Sequence, residues 1–252
     1  MVGGRTVALI QARIGSTRLP GKVLLPLRGV PLLARVLERA SRIDGVDGIA
    51  LAVPEGPAQD PIVDVAGRFP NVIVTRGPED DVLRRSAQAV RDAGAATVVR
   101  ITSDCPMIDP GVSGAVLAAY RQSGAAYART AIHHGFPHGF DTEVVAAEHL
   151  LAADREATDP YEREHVTPFI WRRPERFSAV YLDHVPDCRH WRLVVDTAED
   201  YAVARTIYER LHPSAPHFGF AELRRLAATE PEIFRPNSHI RQAAYPGAPA
   251  HA

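Results

Sequence analysis

Short runs of apolar residues alternate along the chain with segments of helical periodicity. The apolar runs cover residues 7–10, 49–53, 72–75, 98–101 and 193–195, and most of them are rich in β-branched side chains. Apolar runs without polar alternation are typical of strands that are buried on both faces of a sheet. The pattern therefore predicts five buried strands.

Helical periodicity separates these runs. Apolar residues recur every three or four positions in residues 31–43, and residues 81–93 and 110–123 follow the same pattern. Pro31 suits the first turn of its helix. Strands that alternate with helices form right-handed crossovers, so the sequence predicts an α/β fold with a mostly parallel sheet and helices on both faces.

Two segments depart from this alternation. Residues 126–158 are less regular and rich in His, Gly and Phe, which predicts an inserted element for substrate binding or dimerisation. Residues 221–252 are predicted to be a C-terminal extension, and residues 236–252 within it a mobile tail, because Pro, Gly and Ala occur there with little periodicity. Residues 1–220 would then form a single domain.

Composition narrows the function classes. The 252 residues are 46% hydrophobic and carry 29 Lys and Arg against 30 Asp and Glu. This balance excludes a disordered chain, and it lacks the basic excess of a protein that binds nucleic acid. The N-terminal apolar run is too short for a membrane span or a signal peptide, and Cys105 and Cys188 form no C-x-x-C motif. We expect a cytoplasmic protein without a membrane partner.

The segment that directly follows the first predicted strand is the strongest candidate for chemistry. Residues 11–22 contain two glycines, two hydroxyl side chains and three cations, which are Arg13, Arg18 and Lys22. Glycines let backbone N–H groups approach an anion, and cations attract phosphate oxygens. The segment is not a Walker A loop, because five residues separate Gly15 from Gly21 and Val23 follows Lys22.

Two acidic residues follow later predicted strands. Asp104 comes shortly after residues 98–101, and Asp196 directly follows residues 193–195. Taken alone, Asp104 is equally typical of a turn, and Asp196 or Thr197 of a helix cap. However, the carboxyl ends of parallel strands share one edge of the sheet, where ligands bind. Phosphate-binding cations that face two carboxylates able to hold Mg²⁺ are typical of phosphoryl or nucleotidyl transfer.

These motifs carry a family resemblance. Residues 12–24, ARIGSTRLPGKVL, resemble the signature loop of the cytidylyltransferases that make CMP-activated sugars, and within them the spore-coat polysaccharide type. The similarity continues through residues 76–83, 101–110, 139–143, 162–168 and 195–200, and covers about residues 7–211. Residues 231–242 are similar to a C-terminal extension of some members.

The resemblance implies a Rossmann-like fold of the nucleotide-diphospho-sugar transferase type, CTP as substrate and Mg²⁺ as cofactor. The implied metal ligands are Asp104 and Asp196, and the implied catalytic residues are these two with Arg13 and Lys22. The implied nucleotide-binding residues are Ala12, Arg13, Gly15, Ser16, Arg18, Lys22, Arg76 and Asp104. A solvated arginine at a turn is the alternative for Arg76.

The acceptor is expected to lie against His138, Asp141, Glu143, Glu162 and His165. Two positions depart from the family pattern: Ser103 stands where glycine usually precedes the first metal-binding Asp, and His138 replaces a frequent Asp. His133, His134 and His138 lack a fourth metal ligand at suitable spacing, so acceptor contacts or a plain surface loop are favoured over a metal cluster. Glu162 and Glu164 are alternatively surface acids.

The sequence thus predicts a CTP-dependent nucleotidyltransferase. It would transfer CMP to a small acceptor such as a sugar acid, a sugar phosphate or a phosphonate, and release pyrophosphate. A glycosyltransferase that uses a nucleotide-sugar donor and a non-catalytic nucleotide-binding protein are the alternatives. The resemblance also implies a homodimer formed through residues 126–158, where Phe136 and Phe140 would need a core or a partner to cover them.

Overall fold

A seven-stranded sheet organises the computed structural model, which describes residues 4–130, 135–184 and 186–241. The strand order is β5-β4-β1-β6-β8-β7-β9. The strands are β1 (Thr6–Gln11), β4 (Gly48–Pro54), β5 (Val72–Gly77), β6 (Thr97–Thr102), β7 (Tyr127–Thr130), β8 (Glu143–Ala146) and β9 (Ala179–Leu182), while β2 (Pro26–Leu27) and β3 (Val30–Pro31) form a separate short hairpin.

The sheet is mostly parallel, as the sequence predicts. β1 pairs in parallel with β4 and β6, and β4 pairs in parallel with β5. β8 is antiparallel to both of its neighbours, β6 and β7, and β9 is parallel to β7. The predicted strands at 7–10, 49–53, 72–75 and 98–101 are therefore confirmed, and they lie side by side in the sheet.

Helices cover both faces of the sheet. Those that pack on one face are α1 (Leu32–Ala40), α2 (Asp60–Ala66), α4 (Pro110–Ser123), α8 (Ala198–Leu211) and α9 (Phe220–Thr229). The other face carries α3 (Val82–Asp92), α5 (Ala147–Glu156), α6 (Pro160–His165) and α7 (Pro168–Trp171). Because successive residues of β1 point to opposite faces, Ala8 and Ile10 join the first core and Val7 and Leu9 the second.

The predicted strand at residues 193–195 is wrong. These residues are buried but run outside the sheet, where Leu193 N–H donates to the His138 carbonyl at 2.7 Å and Val195 N–H to the Asp104 carbonyl at 2.8 Å. Gly139 permits this close crossing, because a Cβ there would lie 2.5 Å from the Leu193 carbonyl carbon. A buried segment that crosses beside the sheet needs the same run of apolar residues as a buried strand, so the sequence pattern does not separate the two.

Segment 126–158 breaks the alternation by supplying β7, β8 and α5 to the common sheet and its covering layer. Phe136 and Phe140 are 4% and 0% exposed, and both pack against Phe220 of α9. The chain's own core therefore covers the aromatics that suggested a partner. His133 and His134 lie outside the described residues.

The first part of the predicted tail is docked rather than free. Asn237 is 1% exposed and donates to the Arg192 carbonyl at 2.9 Å. Residues 242–252 lie outside the described residues. Within the described chain, no helix has both the length and the apolar character needed to cross a bilayer.

Candidate active site

The carboxyl ends of β1 and β6 open into a cleft. It consists of two adjoining cavities of about 270 and 210 Å³. The first lies against the loop after β1 and the second against β8 and α7. The side chains that line both cavities are those of Arg18, Arg100, Thr102, Asp104, His165 and Asp196.

Lys22 lies at the centre of the cleft. Its Nζ donates to Asp104 Oδ2 at 2.8 Å and to Asp196 Oδ1 at 2.6 Å. Burial disfavours the charged ammonium, but the attraction of the two carboxylates outweighs it and raises the pKa of Lys22. Burial likewise opposes ionisation of Asp104, but Lys22 prevails and lowers the pKa of that carboxyl to about 2. Lys22 and Asp104 are therefore both charged at neutral pH.

The two carboxylates fit a divalent cation. Oxygens of Asp104 and Asp196 already converge on a single cationic atom, Lys22 Nζ, within hydrogen-bond distance. Mg²⁺ is held in proteins by one or two carboxylates and takes its remaining ligands from water and phosphate. No group of three or more His, Cys, Asp or Glu side chains in the described ranges converges as a closed metal site, so these two residues are the candidates.

The loop after β1 is shaped for an anion. Gly21 adopts a left-handed conformation (φ +68°) that turns the chain into a 3₁₀ turn at Lys22–Leu24. Ser16 Oγ accepts from Leu19 N–H at 3.3 Å, and Ala12 is buried beneath the loop. Within the described chain, the backbone N–H groups of four loop residues have no acceptor: Arg13, Gly15, Thr17 and Arg18. Free donors of this kind beside cations are typical of phosphate-binding loops.

Cations surround the first cavity. Arg13, Arg18 and Lys22 line it as predicted, and Arg18 also pairs with Asp196 at 2.9 Å. Arg85 lines it too, although it is only 1% exposed and donates to the backbone carbonyls of Pro78 and Glu79. Burial lowers the pKa of the Arg85 guanidinium, and the neighbouring Arg13 lowers it further.

The second cavity gathers four of the five predicted acceptor residues. His138, Asp141, Glu143 and His165 all line it. His138 lies 3.5 Å from the Arg192 guanidinium and 3.8 Å from Asp141, and the His165 ring packs at a tilt against that of Tyr161, with the centroids 4.3 Å apart. Burial is the main reason that the pKa of His165 is lowered.

The Glu143 carboxylate is fully engaged by neighbouring side chains and is not free to bind a ligand. It accepts hydrogen bonds from Arg100, from the Tyr127 hydroxyl and from Thr167 Oγ1, the last at 2.7 Å. Burial raises the pKa of Glu143, but Arg100 and the other partners outweigh it, so the net pKa shift is downward. Glu143 thus fixes the Arg100 guanidinium where both cavities meet.

Two predicted site residues lie elsewhere. Arg76 donates to Asp60 at 2.5 Å and to the Gly56 carbonyl at 2.7 Å, and it lines a separate cavity beside α3. Glu162 is buried and bound by Arg173 at 2.7 Å, outside both cavities of the cleft. Glu164 lines the first cavity instead.

In the segment around Asp196, different residues cap the helix and face the cleft. Thr197 caps α8 by accepting from Asp200 N–H, and Asp200 completes the capping box. Asp200 is buried and also binds Arg192 at 2.8 Å. The capping alternative therefore applies to Thr197, and the Asp196 side chain points into the cleft.

Sequence reasoning missed Arg85 and Arg100. Both carried a signal: Arg100 interrupts an apolar strand, and Arg85 lies four residues before Ala89 on the buried face of α3. A charged residue at an apolar position must be paired or functional.

The chain resembles known proteins over most of its length. A family model described as cytidylyltransferase matches residues 7–235. The spore coat polysaccharide biosynthesis protein SpsF of Bacillus subtilis is 32% identical over 80% of this chain and 85% of its own length. A 3-deoxy-manno-octulosonate cytidylyltransferase of Anaeromyxobacter dehalogenans is 38% identical over 44% of this chain and 45% of its own.

Solved structures share the fold. A cytidylyltransferase from Leptospira borgpetersenii superposes with a TM-score of 0.85 at 28% identity, covering 96% of this chain and 99% of its own. A CMP:2-keto-3-deoxy-manno-octonic acid synthetase complexed with CTP superposes with a TM-score of 0.60 at 18% identity, covering 82% and 99%. The second likeness concerns the fold alone.

Proposed function

The chain belongs to the cytidylyltransferase family, and on that premise we propose that it transfers CMP from CTP to a sugar acid and releases pyrophosphate. The observation that carries this proposal is the convergence of Asp104 and Asp196 on Lys22 beside a loop with four unused N–H groups. A triphosphate needs these features in one place: donors and cations for its oxygens, and carboxylates for its metal ion.

In the proposed reaction, an acceptor oxygen attacks the α-phosphorus of CTP. The bond from the α-phosphorus to the bridging oxygen breaks, and pyrophosphate leaves with that oxygen. Arg13, Arg18 and the loop N–H groups bind the triphosphate, and Lys22 stabilises the negative charge that develops around the α-phosphorus. Because these donors are already in position, they solvate the phosphate charge in place of water and need not reorient during the reaction.

Asp104 and Asp196 would hold Mg²⁺, which would neutralise phosphate charge and orient the triphosphate. Metal dependence is tested by chelation. We expect EDTA to abolish turnover and added Mg²⁺ to restore it, whereas full activity in excess EDTA would contradict this part of the proposal.

A sugar acid fits the second cavity. Arg100, Arg129, His138 and His165 line it as donors for a carboxylate, beside the acidic side chains of Asp104, Asp141, Glu143 and Asp196. The relatives named for 3-deoxy-manno-octulosonate act on a substrate of this class. An acidic sugar is therefore favoured over a neutral one.

A screen of pyrophosphate release tests the proposal. Each of the four ribonucleoside triphosphates is incubated with a panel of sugar acids, sugar phosphates and phosphonates. We expect release with CTP and a sugar acid, and none from the Lys22→Met variant. Release of a nucleoside diphosphate from a nucleotide sugar would instead favour a glycosyltransferase, and CTP binding without turnover a non-catalytic protein.

The homodimer remains a proposal that rests on the family resemblance, and the cytoplasmic location remains a proposal from the sequence alone. Burial of Phe136 and Phe140 in the chain's own core removes the separate argument for a partner. We expect light scattering at micromolar concentration to show a dimer. A monomer at that concentration would contradict the proposal.

A further inference from the structure

A further cavity, of about 780 Å³, lies beside the cleft. Its walls are residues 186–192, α9 and the C-terminal residues 231–241, and we call it the C-terminal pocket. Five arginines line it: Arg189, Arg192, Arg224, Arg235 and Arg241. In a chain of net charge −1, such a concentration of arginines needs an explanation.

The charge of the C-terminal pocket is only partly compensated. Asp187 is the one carboxylate among the lining residues, and Arg189 binds it at 2.7 Å. Arg192 is bound by Asp200. Across the described ranges, Arg224, Arg235 and Arg241 have no carboxylate within 4.0 Å, the limit used for an ion pair. Three guanidinium groups therefore remain for an anion.

The pocket adjoins the acceptor end of the cleft. His138 lines both the C-terminal pocket and the second cavity of the cleft. Arg192 lines the pocket, while its guanidinium reaches Asp196 Oδ2 at 3.4 Å and His138 at 3.5 Å. The wall between the two spaces thus consists of side chains that already contact the reacting centre.

The pocket also offers an apolar surface. The ring of Trp191 is half-buried, with its centroid 5.2 Å from that of Phe234. An indole face beside guanidinium groups suits a sugar that carries an acidic substituent, because its C–H face packs on the ring while the anion binds the arginines.

We propose that the C-terminal pocket binds a second anionic group, a phosphate ester or carboxylate, at the end of the acceptor remote from the attacking oxygen. The inference rests on the proposed function for the identity of the acceptor. The same chemistry would also bind a free phosphate ion that is unconnected with the acceptor, and the experiment separates these two sources.

The first arm measures binding without catalysis. Trp171 and Trp191 are the two tryptophans of the chain, so Trp171→Phe leaves Trp191 as the reporter in the pocket. In that background, titration with inorganic phosphate should change the Trp191 fluorescence. The double variant Arg224→Gln/Arg235→Gln should weaken phosphate binding by about tenfold or more, since two charge-assisted contacts are lost.

Arg225→Gln is the matched control. Arg225 is on the same helix and equally exposed, but it pairs with Glu222 and does not line the pocket. We expect it to bind phosphate as the parent does. Equal phosphate affinity in the double variant and the control would overturn the proposed site.

The second arm identifies the source of the anion in the chain with Trp171 intact. Inorganic phosphate should inhibit competitively against the acceptor, and the double variant should lose this inhibition while keeping any competition of phosphate with CTP at the loop after β1. Phosphate binding without competition against the acceptor would overturn the assignment to the acceptor. If no acceptor supports turnover, the proposed function and that assignment fail together, while the first arm still decides whether the pocket binds an anion.

Discussion

At the scale of single residues, Asp196 and Thr197 are neighbours with different tasks. Thr197 caps α8, while Asp196 faces Lys22 and Arg18. Their substitution should therefore separate stability from turnover.

We predict that Asp196→Asn lowers kcat by at least about a hundredfold, because it removes one of the two carboxylates that we propose hold the metal ion. Thr197→Ala should cost about 1 kcal/mol of unfolding free energy through the lost cap and leave kcat close to that of the wild type. Urea denaturation and steady-state kinetics on both variants check this. Near-normal kcat in Asp196→Asn would show that Asp196 has no catalytic role.

The Lys22–Asp104 pair predicts a pH dependence of stability. The pKa of Asp104 lies at about 2 in the folded chain against an ordinary 3.8, so the folded state favours the carboxylate. Its contribution is present above about pH 4 and is lost as the pH falls towards 2, and it amounts to about 2 kcal/mol.

The asparagine of Asp104→Asn does not titrate. We therefore expect the excess unfolding free energy of the wild type over this variant to shrink between about pH 4 and pH 2, as measured by urea denaturation at each pH. An excess that stays constant or grows on acidification would contradict the depressed pKa.

We propose that His165 accepts the proton of the attacking acceptor oxygen. It lines both cavities, and its lowered pKa keeps the ring neutral at pH 7. We predict that turnover of the wild type falls on acidification as this ring is protonated, and that His165→Asn lowers kcat about a hundredfold and removes the acidic limb.

His212→Asn is the control for His165, because the pKa of His212 is also lowered but its ring lies outside the cleft, beside Arg35. It should retain the acidic limb in the pH profile of kcat. An unchanged limb in His165→Asn would assign the proton transfer to another group.

At the scale of elements, the C-terminal residues 231–241 stabilise the segment around Asp196 through hydrogen bonds. The Asn237 amide donates to the Arg192 carbonyl at 2.9 Å and to Asp200 Oδ1 at 2.8 Å. We predict that Asn237→Ala lowers the unfolding free energy by about 1–3 kcal/mol, because two buried acceptors lose a donor.

The neighbouring Ser238 provides the comparison for Asn237. Ser238 is exposed and bonds only to the carbonyl of Arg235, so Ser238→Ala should change the unfolding free energy by less than about 0.5 kcal/mol. Equal midpoints in urea for the two variants would mean that the segment does not brace the site.

Sequence patterns predict those helices and strands whose hydrophobic periodicity is set by neighbouring residues. The strands β1, β4, β5 and β6 are visible in the sequence as apolar runs, although β5 lies at the edge of the sheet and is only partly buried, and the loop after β1 is visible by its glycines and cations. The run at residues 193–195 misleads, because burial by a crossing segment and burial in a sheet require the same residues. Arg76 and Glu162 had the right residue types, but their ion-pair partners lie far away in sequence, at Asp60 and Arg173. Such tertiary pairings leave no local pattern.

At the scale of the whole molecule, the parallel strands β1 and β6 bring the segments of Lys22 and Asp104 to one edge of the sheet, and the crossing segment 193–195 brings Asp196 to the same place. Lys22, Asp104 and Asp196 come from three separate parts of the chain and meet within 2.8 Å of one nitrogen. In the proposed function, the triphosphate binds at this edge beside the acceptor, and CMP passes from one to the other.

Isotope transfer tests that claim most directly. The protein is incubated with a sugar acid that is active in the screen and with CTP labelled with ³²P at either the α- or the γ-phosphate. We predict that the α-label appears in the sugar product and the γ-label in pyrophosphate, and that Lys22→Met forms neither product. The γ-label in the sugar, or the α-label in a released nucleoside diphosphate, would contradict the transfer of CMP.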